Sequence, residues 1–198
     1  MEQHTNQEFN LANISEALAA AYPERECLVF RDRRFRWKDL TDRTRRLANF
    51  LRSHGLGCHR ERHELKNYES GQDHLGLYLY NGNEYLEGML GAYKARVAPF
   101  NVNYRYVEDE LIYLLNDADC HALIYHARFA PRVQKIRSEV RHLRLLLQVA
   151  DESGNPLLPG ALDYEEVLRQ SSPEKPDLHW CGDDLYILYT GGTTGMPK

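Results

Sequence analysis

The spacing of apolar positions divides the chain into a helical start, a hairpin and a long alternating core. Ile14, Leu18 and Ala21 fall at helical spacing within residues 13–21, and Pro23 ends that run. Cys27–Phe30 and Arg34–Trp37 flank a short charged turn and predict a β-hairpin. Leu40, Thr44, Leu47, Ala48 and Leu51 share one face of a helix over Leu40–Ser53, and Gly55 stands where a helix ends on a glycine C′ residue. Residues 57–72 show no period and carry many charges, which predicts a loop or variable insertion. From His74 the pattern alternates. Strands are predicted over Leu75–Tyr80, Val97–Val102, His121–Tyr125 and Leu143–Val149, and helices over Glu84–Arg96, Val107–Asp117 and Phe129–Val140. The Gly-, Pro- and Ser-rich stretch 151–162 reads as an excursion. Asp163–Gln170 follows as a short helix, with Asp163 as N-cap and Glu165 and Glu166 near the positive end of its dipole. Residues 171–177 form a linker to an apolar run, Leu185–Tyr189, read as a buried strand. Short-linked strand–helix alternation gives an α/β fold of repeated βαβ units. These form a mostly parallel sheet flanked by helices, preceded by a helix and a β-hairpin, and incomplete at the C-terminus. The organisation along 1–198 is helix, hairpin, helix and variable loop over 1–73 and a βαβ core over 74–150. An excursion and linker over 151–184 then lead to a strand plus loop over 185–198.

Composition narrows the class. With 27% charged and 42% hydrophobic residues the chain resembles an ordinary globular protein. Its 29 acidic and 25 basic side chains leave a net charge of -4, which argues against nucleic acid as a partner. Arg31, Arg33, Arg34 and Arg36, and then Arg43, Arg45 and Arg46, read as a solvated hairpin and helix face. No apolar run approaches the roughly 20 residues of a membrane span, and the polar N-terminus lacks a signal-peptide layout. Peripheral contact with a membrane stays open. Cys27, Cys58, Cys120 and Cys181 are widely spaced, as expected of reduced thiols in a cytoplasmic protein. His54, Cys58, His59 and His63 match no zinc-ligand spacing, so no metal site is expected there. Tyr104, Tyr106 and Tyr113 read as packing residues before they read as an aromatic substrate wall. In Asn81-Gly82-Asn83, Asn83 as a helix N-cap is a simpler reading than a ligand contact.

The chemistry is concentrated in the last residues. After the run Leu185–Tyr189 come Thr190, Gly191, Gly192, Thr193, Thr194, Gly195, Met196, Pro197 and Lys198. Glycines let the backbone approach a ligand closely. Successive N–H groups make an anion-binding concavity, threonine hydroxyls add donors, and lysine supplies charge for phosphate oxygens. The loop is not a Walker A sequence, because Met196 and Pro197 separate Gly195 from Lys198 and no Ser or Thr follows. A polyphosphate, foremost ATP, is the expected ligand. The nucleotide-binding residues are Thr190, Gly191, Gly192, Thr193, Thr194, Gly195 and Lys198, and no catalytic acid, base or nucleophile can be named.

Tyr189–Lys198 resembles the phosphate-loop signature of adenylate-forming enzymes, Tyr/Phe-Thr-Ser-Gly-Ser/Thr-Thr-Gly-x-Pro-Lys, departing at Gly191, where serine is usual. Leu77–Glu87, Lys94–Tyr106 and Glu110–Ala118 resemble the family's scaffold, most of all that of bacterial fatty-acyl-CoA synthetases, including those acting on bulky or steroid-derived acids. The resemblance implies the N-terminal portion of the large adenylate-forming domain. It also implies a two-step reaction. A carboxylate attacks the α-phosphate of ATP and releases pyrophosphate, and the thiol of coenzyme A then displaces AMP. ATP, Mg2+ and coenzyme A are the implied cofactors and co-substrate, and a small-molecule, fatty acid is the implied substrate. Family members are longer, so the chain is expected to be inactive alone, the alternative being a non-catalytic nucleotide-binding module or half of a split enzyme. The family also places a further strand after the loop; without it, Leu185–Tyr189 would present an unpaired apolar edge.

Overall fold

The computed structural model describes residues 9–190. Helix α1 (Leu11–Ala21) is capped by Asn10, whose side chain accepts from the Ala12 N–H at 2.7 Å. Strands β1 (Glu26–Phe30) and β2 (Arg33–Arg36) form the expected antiparallel hairpin. Helix α2 (Trp37–Ser53) starts three residues earlier than its apolar period suggests, because the Asp39 carboxylate accepts the Arg36 N–H at 3.1 Å and closes the first turn. It ends in a Schellman motif. Gly55 (φ 74°) donates to Arg52 O and Leu56 donates to Leu51 O, a conformation that suits a residue without Cβ. Residues 57–72 form the predicted loop, with a single 3-10 turn at Arg62–Glu64.

The core follows as β3 (His74–Tyr78), α3 (Asn83–Ala95), β4 (Ala98–Asn101), α4 (Glu108–Asp117), β5 (Cys120–His126), α5 (Ala130–Ile136) and β6 (Leu145–Val149). After it come β7 (Leu162–Asp163) and α6 (Tyr164–Gln170), with Asp163 capping α6 as expected through a 2.9 Å bond from the Glu166 N–H. The five-stranded sheet has the order β4-β3-β5-β6-β7 and is parallel throughout. Both faces are covered, so alternate residues of one strand enter different cores. Leu75, Leu77, Ala122, Ile124, Leu145 and Leu147 meet α2, α3 and α6. Tyr78, Phe100, Leu123, Tyr125 and Leu146 meet α4 and α5. Strand β4 lies on one side of β3 and β5 on the other. Crossovers of one hand that run in opposite directions must place α3 and α4 on opposite faces, and they do.

Four expectations are corrected. Leu185–Tyr189 is not a buried strand among the described residues. It makes one parallel bridge, Ile187 to Phe100, with the Ile187 N–H donating to Pro99 O at 3.1 Å, and Leu188 is 67% exposed. The third core helix, α5, stops at Ile136 rather than Val140. After Ile136 the chain tightens into a turn, the Glu139 N–H donating to Ile136 O at 2.9 Å, and the Asn116 side chain holds it by donating to Glu139 O and accepting from the Arg141 N–H, each at 2.9 Å. Asn83 does not cap α3; Gly82 is the N-cap and Asn83 lies buried in the first turn. The arginines of α2 are not simply solvated. Arg43 binds Glu87 and Glu165, and Arg45 binds Glu16, which also pairs with the fully buried Lys94 at 2.5 Å. Strand β7 has no counterpart in the sequence reading. The buried Gln148 holds the segment before it, accepting from the Leu158 N–H at 3.2 Å and donating to Pro156 O at 3.0 Å.

Candidate functional site

In an open parallel sheet, ligands bind outside the carboxyl ends of the strands where successive connections leave toward opposite faces. Here β3 leads to α3 on one face, while its neighbours β4 and β5 lead to α4 and α5 on the other. The switch point is therefore the carboxyl end of β3, at Leu79–Gly82.

Aromatic side chains floor this end. The Tyr80 ring lies 4.9 Å from Tyr104, 5.0 Å from Phe129 and 5.8 Å from His126, and Tyr78 stacks on Phe129 at 4.2 Å. The Tyr80 N–H donates to His126 Nδ1 at 3.0 Å, which holds that nitrogen unprotonated. Burial lowers the His126 pKa, with Glu84 and Asp151 opposing it. Arg132 donates to the Tyr78 hydroxyl at 2.9 Å and to Tyr106 O at 2.7 Å, tying the floor to the loop before α4. Of the tyrosines read as packing residues, Tyr104 thus belongs to this floor, and Tyr106 is tied to it through its backbone carbonyl.

The segment that leads to the glycine–threonine loop reaches the same edge. Its bridge to Phe100 is parallel, so from Ile187 the chain runs in the direction of β4, toward the carboxyl end. Tyr189 donates from its hydroxyl to Asp117 at 2.6 Å on the α4 side, and burial with that carboxylate raises its pKa. Tyr186 interacts with Tyr85 of α3, whose hydroxyl is pushed up to about 12, chiefly by burial. Adjacent helices on opposite faces are thereby both gripped by one short segment.

Thr190 is the one predicted site residue among those described. Gly191, Gly192, Thr193, Thr194, Gly195 and Lys198 lie outside the described residues. Missing from the sequence reading is the anchorage upstream of Thr190. Asp184, whose side chain is buried, accepts from Asn10 Nδ2 at 3.0 Å, the Cys181 N–H at 3.2 Å and Arg96 Nε at 3.0 Å. The Leu185 N–H donates to Gln72 Oε1 at 2.8 Å, and the Trp180 indole donates to Lys94 O at 3.0 Å. An aspartate just before an apolar run was the one available signal for this anchorage.

A groove of about 1200 Å³ lies elsewhere, between α1, α2 and residues 173–180, with Glu16, Arg45 and Trp180 in its wall. Among the described residues no group of three or more His, Cys, Asp or Glu side chains could hold a metal ion, and no helix is long and apolar enough to cross a membrane.

Comparison with known proteins adds the family context. The family profile described as AMP-binding enzyme matches residues 15–198. The medium-chain acyl-CoA ligase Mig of Mycobacterium avium is 57% identical over 98% of this chain and 35% of its own length. The 3-oxocholest-4-en-26-oate--CoA ligase of Rhodococcus rhodochrous is 36% identical over 96% of this chain and 32% of its own. The crystal structure of the anthranilate CoA ligase AuaEII with anthranoyl-AMP superposes with a TM-score of 0.82 over the whole of this chain and 35% of that one, at 20% identity, which is a likeness of fold. The chain spans about a third of the length of the curated relatives it matches.

Proposed function

The chain belongs to the AMP-binding enzyme family, and from that premise we propose that it supplies the phosphate-binding portion of an ATP-dependent acyl-CoA ligase acting on a fatty or similarly apolar carboxylic acid. The observation that carries this reading is the 57% identity to a medium-chain acyl-CoA ligase across nearly all of the chain. The loop composition and the course of residues 185–190 toward the carboxyl edge of the sheet support it.

In the proposed reaction, a carboxylate oxygen attacks the α-phosphorus of ATP, the bond to the β,γ-pyrophosphate breaks, and an acyl-adenylate forms. The coenzyme A sulfur then attacks the acyl carbon, AMP leaves, and the thiol proton is released. Catalysis of the first step consists largely of positioning and neutralising charge. We assign the pyrophosphate oxygens to the hydroxyls of Thr190, Thr193 and Thr194 and the N–H groups of Gly191, Gly192 and Gly195. Lys198 acts as a charged ligand, since an ordinary lysine is protonated at neutral pH. Magnesium enters as the ATP complex. When bound, the ion would neutralise charge on the ATP phosphates. The reaction is placed in the cytoplasm, the compartment of its cosubstrates.

Calorimetric titration of the 198-residue chain with ATP tests the site. Thr193→Val and Lys198→Ala are each expected to raise Kd by about tenfold, the loss of one hydrogen bond to a charged group. Unchanged affinity in both would remove the assignment. The chain alone, given ATP, coenzyme A and saturated fatty acids, is expected to form no thioester. Thioester formation by it would show that the 198 residues suffice.

A further inference from the structure

Arg96 follows α3 in a left-handed conformation, φ 57° and ψ 40°. This is the C′-type position where a helix most economically ends on glycine, since a Cβ there is strained. The turn itself asks nothing of the side chain. Its bonds, Arg96 N–H to Tyr93 O at 3.0 Å and Val97 N–H to Ala92 O at 2.9 Å, are backbone only. A strained residue kept where glycine would serve points to a task for its side chain.

That side chain extends to two carboxylates. Nη1 and Nη2 form a two-pronged contact with Glu61, at 2.7 and 2.9 Å, and Nε donates to Asp184 at 3.0 Å. Glu61 is 45% exposed, whereas Asp184 is 2% exposed. Burial raises the Asp184 pKa, and Arg96 is the cation that opposes this. The Arg96 carbonyl joins the same arrangement, accepting from Gln72 Nε2 at 3.0 Å, while Gln72 Oε1 accepts the Leu185 N–H. Both the side chain and the carbonyl of one residue thus lead to Asp184 and Leu185, immediately before the segment that runs to Thr190.

We propose that Arg96 is a positioning residue for the phosphate loop, fixing through Asp184 and Gln72 the point from which residues 185–190 run to the carboxyl edge. This rests on the phosphate-binding role proposed above. Arg96 touches no substrate; it determines where the loop begins. Among the described residues the segment makes one backbone bridge, at Ile187, and side-chain contacts at Asp184 and Leu185 hold the point before it.

The test compares Arg96→Gly, Asp184→Asn, their double variant and Glu61→Gln in the 198-residue chain. Amide hydrogen exchange at Leu185 and Ile187, the thermal midpoint and the ATP Kd are the readouts. Glycine relieves the backbone strain but leaves the buried Asp184 carboxylate without its cation, so the thermal midpoint of Arg96→Gly should fall, and the loop readouts are compared at a temperature where both chains are folded. Exchange at Leu185 and Ile187 should quicken by about tenfold, and ATP Kd rise by a similar factor, the effect of losing a charge-assisted bond. Asp184→Asn should do the same. The double variant should be no worse than either single one, because both break one link. Should Arg96→Gly not fold, Asp184→Asn carries the expectation. Unchanged exchange and affinity in Arg96→Gly would overturn the proposal, as would an equal loss in Glu61→Gln, which would put the guanidinium's work at the exposed partner. If the unaltered chain binds no ATP, the phosphate-site reading fails, and exchange at Leu185 and Ile187 still decides whether Arg96 anchors the segment.

Discussion

Glu87 shows how a single buried charge is made tolerable. Its carboxylate receives Arg43 Nε at 2.8 Å and Nη2 at 2.9 Å, Asn83 Nδ2 at 2.8 Å and the Tyr164 hydroxyl at 2.9 Å. It therefore joins α2, α3 and α6 at one point, and burial beside it raises the Tyr164 pKa well above the ordinary value. Forming such a pair from solvated groups gains little, but removing one partner leaves the others buried and uncompensated. Glu87→Ala is expected to cost about 3–5 kcal/mol in urea unfolding, and Tyr164→Phe, which removes one of four donors, about 2 kcal/mol. A Glu87→Ala cost below that of Tyr164→Phe would mean the carboxylate is not the centre of the network. His126 gives the pH dependence at the same scale. Its folded pKa lies below the ordinary value of about 6.5, so below that pH the unfolded chain binds the proton first and stability falls. His121 has the same sign, lowered by burial despite Asp73. In His126→Asn the amide oxygen can replace Nδ1 as acceptor for Tyr80 and does not titrate. Unfolding free energy measured from pH 7.5 to 5.5 should thus fall less steeply in the variant, and an unchanged slope would refute the assignment. Neither Glu87 nor His126 stands out in the sequence, because partners such as Glu87 and Tyr164 become neighbours only once the sheet is wound.

Helices α2 and α3 approach closely where Leu47 packs over Gly91. A Cβ there would meet Leu47 Cδ2 at 2.7 Å, Cγ at 2.9 Å and Cβ at 3.0 Å. Alanine would gain about 1 kcal/mol in helix propensity. Overpacking costs about 1–3 kcal/mol, and with the Leu47 Cβ itself in the way the whole helix must shift. Gly91→Ala should therefore lower stability, with Gly91→Ala/Leu47→Ala recovering part of the helix-packing strain; a stabilised single variant would show that α2 yields easily. Elements of this kind were legible where one physical signal dominated. The doubly covered strands β3 and β6 appear as largely apolar runs, with His74 and Gln148 as their polar members, and the Gly55 and Asp163 caps were readable from residue type and place. Strand β7 was not legible, since two residues carry no period and their place is set by the Gln148 side chain. The run Leu185–Tyr189 misled for the opposite reason. Its apolar content arises from Ile187 and Tyr189 packing inward and Tyr186 reaching α3, a mixture that hydrophobicity alone reads as full burial.

For the molecule as a whole, these features place the exposed margin of the sheet beside β4. Residues 185–189 are the last layer there among the described residues, held by one backbone bridge, with Leu185 36%, Tyr186 39% and Leu188 67% exposed. Apolar edge segments with free pairing capacity recruit other chains. The opposite margin is closed differently, with the two-residue β7 leading directly into α6. Association of the 198-residue chain should therefore proceed through the β4 margin. Sedimentation velocity over a concentration series is expected to show growing species, and Leu188→Lys to reduce them without lowering the thermal midpoint, because that side chain is the most exposed of the segment and a charge on an edge opposes pairing. A variant that associates as readily as the parent chain would move the contact elsewhere, the exposed apolar side of α1 around Phe9, Leu11 and Ile14 being the next surface to alter. A parent chain that stays monomeric with Leu188 protected from exchange would instead mean that this margin is already covered by the chain itself.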